Sequence, residues 1–215
     1  MKGNSERVPN KNLKSFSGKP LFHKTLDVLL RSKYINSVII NTDCINIKRD
    51  LNDNYFNKTI IHDRPESIVG NYVSMNKIIE YDLLKSNSDI YIQTHSTNPL
   101  LLTKTIDDAI EKFITFINKN KFDSIFSVTK TQKRFYNENS MPLNHDPKML
   151  VTQHLNPIFE ENSCFYIFTK ESFLSTNSRI GSSPLMYEIN KIESIDIDEK
   201  DDFIIAEAVY NLLRT

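Results

Sequence analysis

Short runs of β-branched and apolar residues alternate with amphipathic segments along most of this chain. Three runs are short, continuous and followed by polar residues, which predicts buried parallel strands: SVIINT (37–42), DIYIQTH (89–95) and SIFSVT (124–129). Apolar residues at helical spacing predict helices over residues 20–31 and 105–117. This alternation of strands and helices predicts an α/β layered fold.

The last third of the chain continues the alternation after one interruption. SCFYIFT (163–169) predicts a further strand, and DDFIIAEAVYNLL (201–213) predicts a helix whose acidic first turn suits the helix dipole. Residues 130–161 are polar, contain three prolines and show no clear period. An irregular stretch of this length in a compact domain is usually functional or binds a partner.

Length, charge and cysteine content limit the classes of protein to consider. A chain of 215 residues is long enough for one sizeable domain. Its 27 basic and 27 acidic residues balance, which argues against a nucleic-acid partner or a membrane-surface partner. The two cysteines lie far apart, and no signal peptide precedes them. We therefore expect a cytoplasmic protein.

The opening segment, MKGNSERVPNKN (1–12), has the composition of a loop that binds an anion. Gly3 and the small polar residues after it can direct backbone amides towards phosphate oxygens, and Lys2, Arg7 and Lys11 add positive charge. A solvated chain terminus has the same composition. The segment by itself leaves both interpretations open.

Two aspartates near the end of the chain are candidates for binding a cation. In SIDID (194–198), a strand would turn Asp196 and Asp198 to one side and the two isoleucines to the other. Two like charges held together are costly unless a cation lies beside them, and Mg²⁺ prefers carboxylate and phosphate oxygens. The alternative is that both are exposed turn residues before an acidic helix.

Two further positions are candidates for binding a ligand. Arg64 precedes the rigid Pro65 and so can point into a cleft, although a surface arginine would show the same pattern. His95 begins the polar cluster HSTN (95–98) directly after a predicted strand. Ligands of open α/β sheets bind beyond the carboxyl ends of strands, which favours a site there. A single histidine is also often a structural residue.

The order of these motifs resembles that of the acylneuraminate (CMP-sialic acid) cytidylyltransferases. From residue 1 to about residue 213, the family-like segments follow one another as GNSERVPNKN, GKPL, a strand ending in TD, RPES, THSTNPL, EENSCFYIF and DIDEKDDF. The resemblance implies a three-layer α/β/α Rossmann-like nucleotide-diphospho-sugar transferase fold with a mostly parallel mixed sheet. It also implies that CTP and a 2-keto-3-deoxy sugar acid react to give CMP-sugar and pyrophosphate, with Mg²⁺ as the cofactor.

Roles for individual residues follow from the same resemblance. The family's phosphate-binding positions correspond to Lys2, Gly3, Asn4, Ser5, Arg7, Lys11 and Asn12. Its cytosine- and ribose-binding positions correspond to Arg64, Asn71 and Ser74, and its sugar-binding positions to His95, Asn162 and Tyr166. Asp196 and Asp198 would hold the metal, and the catalytic residues would be Lys2, Arg7, Lys11 and Asp198.

Some positions depart from the family pattern and keep other functions open. The family often has arginine at the position of Lys2, lysine at that of Glu6 and a basic residue at that of Val151. A non-catalytic nucleotide-binding regulatory protein of the same fold is one alternative. A nucleotidyltransferase that uses another NTP or another sugar acid is a second.

The resemblance also predicts an association and an additional strand. Residues 130–161 match the excursion through which the family forms homodimers, within a single domain that spans residues 1–215. The family has an apolar strand immediately before the opening loop, so we expect about ten residues upstream of Met1 that supply it. A form extended by that strand should be more stable and more active. Equal thermal stability and turnover of the two forms would contradict this expectation.

Overall fold

The computed structural model describes residues 1–3, 5, 7–70, 72–117, 121–148 and 151–213. Its strands are β1 (Ser15–Phe16), β2 (Lys19–Pro20), β3 (Val38–Thr42), β4 (Thr59–Asp63), β5 (Ile90–Thr94), β6 (Ser124–Thr131), β7 (Ile158–Thr169) and β8 (Pro184–Glu188). Its α-helices are α1 (Leu21–Leu30), α2 (Ile45–Tyr55), α3 (Met75–Leu84), α4 (Thr103–Ile117), α5 (Lys170–Thr176) and α6 (Lys200–Leu212). The predicted α/β fold is confirmed.

The strands form a mixed sheet in two parts and a small separate hairpin. Strands β3 and β4 pair in parallel, with Val38 opposite Thr59. The larger part has the order β5-β7-β6-β8, in which β7 is antiparallel to both of its neighbours and β8 is parallel to β6. Strands β1 and β2 form the antiparallel hairpin.

Helices cover both faces of the larger part, as the alternation of side chains along β7 requires. Phe165 and Ile167 belong to a core cluster that includes residues of α1 and α4. Tyr166 and Phe168 belong to a different cluster, which includes residues of α3 and α5. The two clusters on opposite faces of one strand are the physical basis of the three-layer architecture.

A further core cluster joins the hairpin to the last helix. Phe16 of β1 is fully buried, and its ring makes edge-to-face contacts with Phe203 at 5.4 Å and Tyr210 at 5.2 Å, both on α6. Helix α6 begins with a capping box between Glu199 and Asp202, which satisfies free amides of its first turn. This packing brings the two ends of the chain together.

An open cleft of about 1450 Å³ separates β3 from β5. Its walls include Ile40 of β3, Ile92 of β5 and Ile79 of α3. Within the described residues, β3 pairs only with β4 and β5 pairs only with β7, so the edges that face the cleft have no strand partner. The amino group of Met1 donates a hydrogen bond to the carbonyl of Asn41 on β3.

Several local predictions need correction. Strands β5 and β6 are antiparallel to β7, and β5 is only half-buried because one of its edges borders the cleft. SIDID (194–198) is not a strand, although Ile197 is fully buried between the less buried Asp196 and Asp198. The stretch 130–161 is irregular only in its middle, because both of its ends continue the β6–β7 ladder. No helix within the described ranges is long and apolar enough to cross a membrane.

We predict that Phe16→Ala destabilises the protein by about 3–5 kcal/mol, since a buried aromatic ring is lost and a cavity remains. Urea unfolding measures the change. Phe56→Ala is the matched control, because 70% of Phe56 is exposed, and it should leave the midpoint almost unchanged. A midpoint for Phe16→Ala equal to that of the control would contradict the role of this cluster.

Candidate active site

Tight packing against the start of α2 fixes the beginning of the opening loop. A Cβ atom on Gly3 would lie 2.7 Å from Cβ and 2.8 Å from Sγ of Cys44, so only glycine fits at this approach. Asn12 donates to the carbonyl of Lys2 at 3.0 Å, and Val8 is buried. The loop is therefore folded back on itself and is not a solvated terminus.

Two cations of this loop meet one carboxylate of the segment before α6. Nη2 of Arg7 lies 2.8 Å from Oδ1 of Asp198, and Nζ of Lys11 lies 3.4 Å from the same oxygen. Lys11 also donates to the carbonyl of Ile197. The Lys11 side chain is only 11% exposed, whereas that of Arg7 is 56% exposed. Asp198 thus compensates two positive charges of the opening loop.

Asp196 lines the same cleft as Asp198, and one oxygen of its carboxylate lacks a hydrogen bond within the described residues. Its Oδ1 atom is buried and has no hydrogen-bond partner among the residues that the structure describes. Burial raises the pKa of Asp196, and the charge of Asp198 raises it further, whereas a hydrogen bond with Thr97 and the charge of Lys11 lower it. A buried carboxylate oxygen without a partner is suited to receive a cation.

The polar cluster after β5 connects the loop to this acidic pair. Oγ of Ser96 donates to Oδ1 of Asn12 at 2.7 Å, and the amide of Ile197 donates to the carbonyl of Thr97 at 3.0 Å. Burial lowers the pKa of His95 to about 4, Arg179 and Lys11 lower it as well, and Asp198 acts in the opposite direction. His95 is therefore neutral at pH 7.

Arg64 lies on the opposite wall of the cleft, at the end of β4. Its Nε donates to Oδ1 of Asn41 at 2.7 Å, and its Nη2 donates to the carbonyl of Asn41 at 3.2 Å. Burial lowers the pKa of Arg64, while Asp43 and Asp82 raise it. These contacts hold the guanidinium group at the carboxyl end of β3.

The structure brings most of the predicted site residues to one cleft. Those that line it are Lys2, Ser5, Arg7, Lys11, Asn12, Arg64, His95, Asp196 and Asp198. Ser74 instead caps α3 by accepting a hydrogen bond from the amide of Lys77. Asn4 and Asn71 lie outside the described residues.

Two of the predicted sugar-binding residues lie inside the protein. The Asn162 amide accepts from Oγ of Ser127 at 2.6 Å and donates to Oγ1 of Thr129 at 2.8 Å, within the β6–β7 ladder. Tyr166 has no exposed surface, and its hydroxyl group donates to Glu161. Burial raises the pKa of Tyr166 to about 12, and the hydrogen bond with Glu161 adds to the effect.

Sequence reasoning missed Arg179, which covers the ring of Tyr166. The centre of its guanidinium group lies 3.8 Å from the ring centroid. Its Nη1 donates to Oε1 of Gln93 at 2.8 Å and lies 3.4 Å from Nε2 of His95. Arg179 belongs to the loop after α5, where no periodic pattern marks it, so no feature of the sequence points to its position.

A three-layer α/β fold in which cations and paired carboxylates meet in one cleft fits a nucleotide-binding transferase. A family model described as "Cytidylyltransferase" matches residues 1–209. The chain therefore belongs to the cytidylyltransferase family, whose members are CTP-dependent nucleotidyltransferases. The family predicted from the sequence is confirmed.

Curated relatives are similar over nearly the whole chain. A pseudaminic acid cytidylyltransferase of Campylobacter jejuni (serotype O:2) is 26% identical, over 98% of this chain and 94% of that protein. N-acylneuraminate cytidylyltransferase A of Danio rerio is 27% identical over 96% of this chain, which spans 48% of that longer protein.

Solved structures share the fold at lower sequence identity. A CMP:2-keto-3-deoxy-manno-octonic acid synthetase complexed with CTP has a TM-score of 0.71 and 12% identity, over 99% of this chain and 96% of that one. A 4-diphosphocytidyl-2C-methyl-D-erythritol synthase from Anaerococcus prevotii has a TM-score of 0.66 and 14% identity, over 98% and 93% of the two chains. Both similarities concern the fold alone.

The low pKa of His95 predicts a specific dependence of stability on pH. The unfolded chain protonates this histidine near its ordinary value of 6.5, whereas the folded chain does so only near 4. The unfolded state therefore binds more protons between these values, and stability falls as the pH falls through that window. From pH 7.5 to 5, the wild type should lose about 2 kcal/mol more than His95→Gln in urea unfolding. Equal losses would contradict a neutral, buried His95.

Proposed function

We propose that this protein transfers CMP from CTP to a 2-keto-3-deoxy sugar acid of the nonulosonate type, with release of pyrophosphate. The observation that carries the proposal is the meeting of Arg7 and Lys11 with Asp196 and Asp198 in one cleft. Membership in the cytidylyltransferase family supports the nucleotide, and the relatives named for pseudaminic and N-acylneuraminic acids support the acceptor class.

In this reaction the acceptor hydroxyl oxygen attacks the α-phosphorus of CTP. Its proton passes to solvent, and the bond from the α-phosphorus to the bridging oxygen breaks, so that pyrophosphate leaves. Such transfers depend mainly on positioning and on neutralising charge at the phosphate oxygens. Arg7 is suited to this task because its side chain is 56% exposed, and an ion pair as exposed as the one with Asp198 exchanges easily for a phosphate. Lys11 is fixed more firmly, through the Ile197 carbonyl, and supplies charge at a constant place.

Asp196 and Asp198 are the residues that would hold Mg²⁺. The fit rests on the buried, unpartnered Oδ1 atom of Asp196 and on the position of Asp198 two residues further on. Within the described ranges, no group of three or more His, Cys, Asp or Glu side chains could hold a metal ion, so phosphates and water would complete the shell. Bound there, Mg²⁺ would neutralise charge on the triphosphate.

The cytosine end of the nucleotide belongs at Arg64, on the far wall of the cleft. Asn41 holds this guanidinium group through two hydrogen bonds, so its orientation is set before any ligand binds. Lys2, Ser5 and Asn12, which also line the cleft, would contact the phosphates between the two ends.

The middle of the excursion supports a homodimer. It exposes large apolar side chains, with Met141 60% and Leu143 63% exposed, and a second copy of the chain would cover them. Light scattering distinguishes the mass of a dimer from the 25.0 kDa of one chain.

Pyrophosphate release tests the proposed function. The purified protein is mixed with CTP, Mg²⁺ and each member of a panel of 2-keto-3-deoxy sugar acids. Release with CTP and one acid, and not with UTP or ATP, is the expected result. CTP binding without release across the whole panel would support a non-catalytic nucleotide-binding protein instead.

We predict that Asp198→Asn lowers turnover by about 100-fold or more while CTP affinity changes only a few-fold. The metal position is weakened, yet Arg7 and Lys11 are released from Asp198 and remain available to phosphates. Steady-state kinetics and CTP titration measure the two effects. Asp201→Asn is the matched control, since it removes a charge from the same acidic segment at an exposed position on α6. Near-normal turnover of Asp198→Asn would argue against the metal role.

A further inference from the structure

The ring of Tyr166 forms a rigid platform beside the cleft. Tyr166 is fully buried on β7, and its hydroxyl group is held by Glu161 and by Ser163, the latter at 3.0 Å. Arg179 stacks on this ring, with its guanidinium centre 3.8 Å from the centroid. A stacked guanidinium group directs its N–H donors outward in the plane of the group, where they remain available for hydrogen bonds.

Only one nitrogen of this guanidinium group is engaged. Nη1 contacts Gln93 and His95, whereas Nε and Nη2 make no hydrogen bond with any described residue. No carboxylate of the described part of the chain lies within 4.0 Å of Arg179, although Arg7 and Lys11 both have such a partner. With respect to the residues that the structure describes, Arg179 thus has no carboxylate partner and a free pair of donors, Nε and Nη2.

The loop that carries Arg179 is held in place by Asp123. Its carboxylate accepts hydrogen bonds from the amides of Ser182 at 2.7 Å and Ser183 at 3.0 Å. A Cβ atom on Gly181 would lie 2.3 Å from Oδ1 of Asp123, so the loop packs as closely as glycine permits. The orientation of Arg179 is therefore set before a ligand arrives.

Arg179 lies close to the groups of the proposed reaction. Its two polar partners, Gln93 and His95, both line the cleft. The charges of Arg179, Lys11 and Asp198 all act on the pKa of His95. A ligand group bound at Arg179 would therefore lie next to Gln93 and His95, at the edge of the cleft.

Given the proposed function, on which this inference rests, we propose that Arg179 binds the carboxylate of the sugar-acid acceptor through its free Nε and Nη2 donors. The geometry suits this acceptor class, because the carboxylate of a 2-keto acid is attached to the carbon that carries the attacking hydroxyl group. A carboxylate fixed by two parallel hydrogen bonds orients that hydroxyl group as well. Gln93 and His95 act as positioning residues that hold Nη1.

The test compares Arg179→Gln and Arg179→Lys with the wild type, using each accepted sugar acid and its primary amide. Arg179→Gln should raise KM for the acid about 50-fold and leave KM for CTP within about twofold. The KM of Arg179→Lys for the acid should lie between those of the wild type and Arg179→Gln, because lysine keeps the positive charge but lacks the planar pair of donors. The wild type should prefer the acid to the amide by about 50-fold, and Arg179→Gln should lose most of that preference.

Arg31→Gln, at an exposed position after α1, is the control and should match the wild type. If Arg179 only braces Tyr166, Arg179→Gln will lower thermal stability and leave the acid-to-amide ratio unchanged, which would overturn the inference. Calorimetric titration of the same acids into the CTP-loaded protein separates this failure from failure of the proposed function. Acid binding without pyrophosphate release would contradict the proposed function alone. The role of Arg179 would then be tested by comparing the acid affinities of Arg179→Gln and the wild type. Absence of both binding and release would overturn both.

Discussion

The contact of Lys11 with the segment that precedes α6 is the interaction on which the site depends. Its ammonium group is nearly buried, so it needs the Ile197 carbonyl and the Asp198 carboxylate to replace water. Asp196 and Asp198 in turn would repel each other without nearby cations. Each end of the chain thus stabilises the charges of the other, and the cleft is assembled before any ligand binds.

The two halves of the cleft differ in how firmly their charges are held. On one side, the Arg7 ion pair with Asp198 is exposed, so under the proposed function a phosphate would replace Asp198 and free that carboxylate for a cation. On the opposite side, Arg179 is stacked on the buried Tyr166, and Asp123 fixes its loop. The exchangeable ion pair on one side and the fixed arginine on the other both fit the proposed function, in which a charged nucleotide meets an oriented acceptor.

Local patterns predicted the elements better than their pairing. The runs at 37–42 and 89–95 are strands, as their continuous apolar character requires. Their partners were not predictable, because an antiparallel β7 inserted between β5 and β6 leaves no trace in the sequence of either neighbour. Isoleucines and aspartates alternate at 194–198 as they would in a strand. Ile197 is buried as it would be in a strand, but it is buried by packing into the core and not by pairing with a neighbouring strand.

By itself, the sequence determined the chemistry at each position of the ordered motifs: a basic opening loop, a polar cluster after a strand and an acidic pair near the end. These features are local, so composition and spacing preserve them. Only the tertiary structure decided which groups meet, since Lys11 reaches across the chain to Asp198 and Arg179 reaches back to Gln93. Such contacts depend on packing between distant segments, and neither periodicity nor spacing encodes the distance between two side chains that the fold brings together.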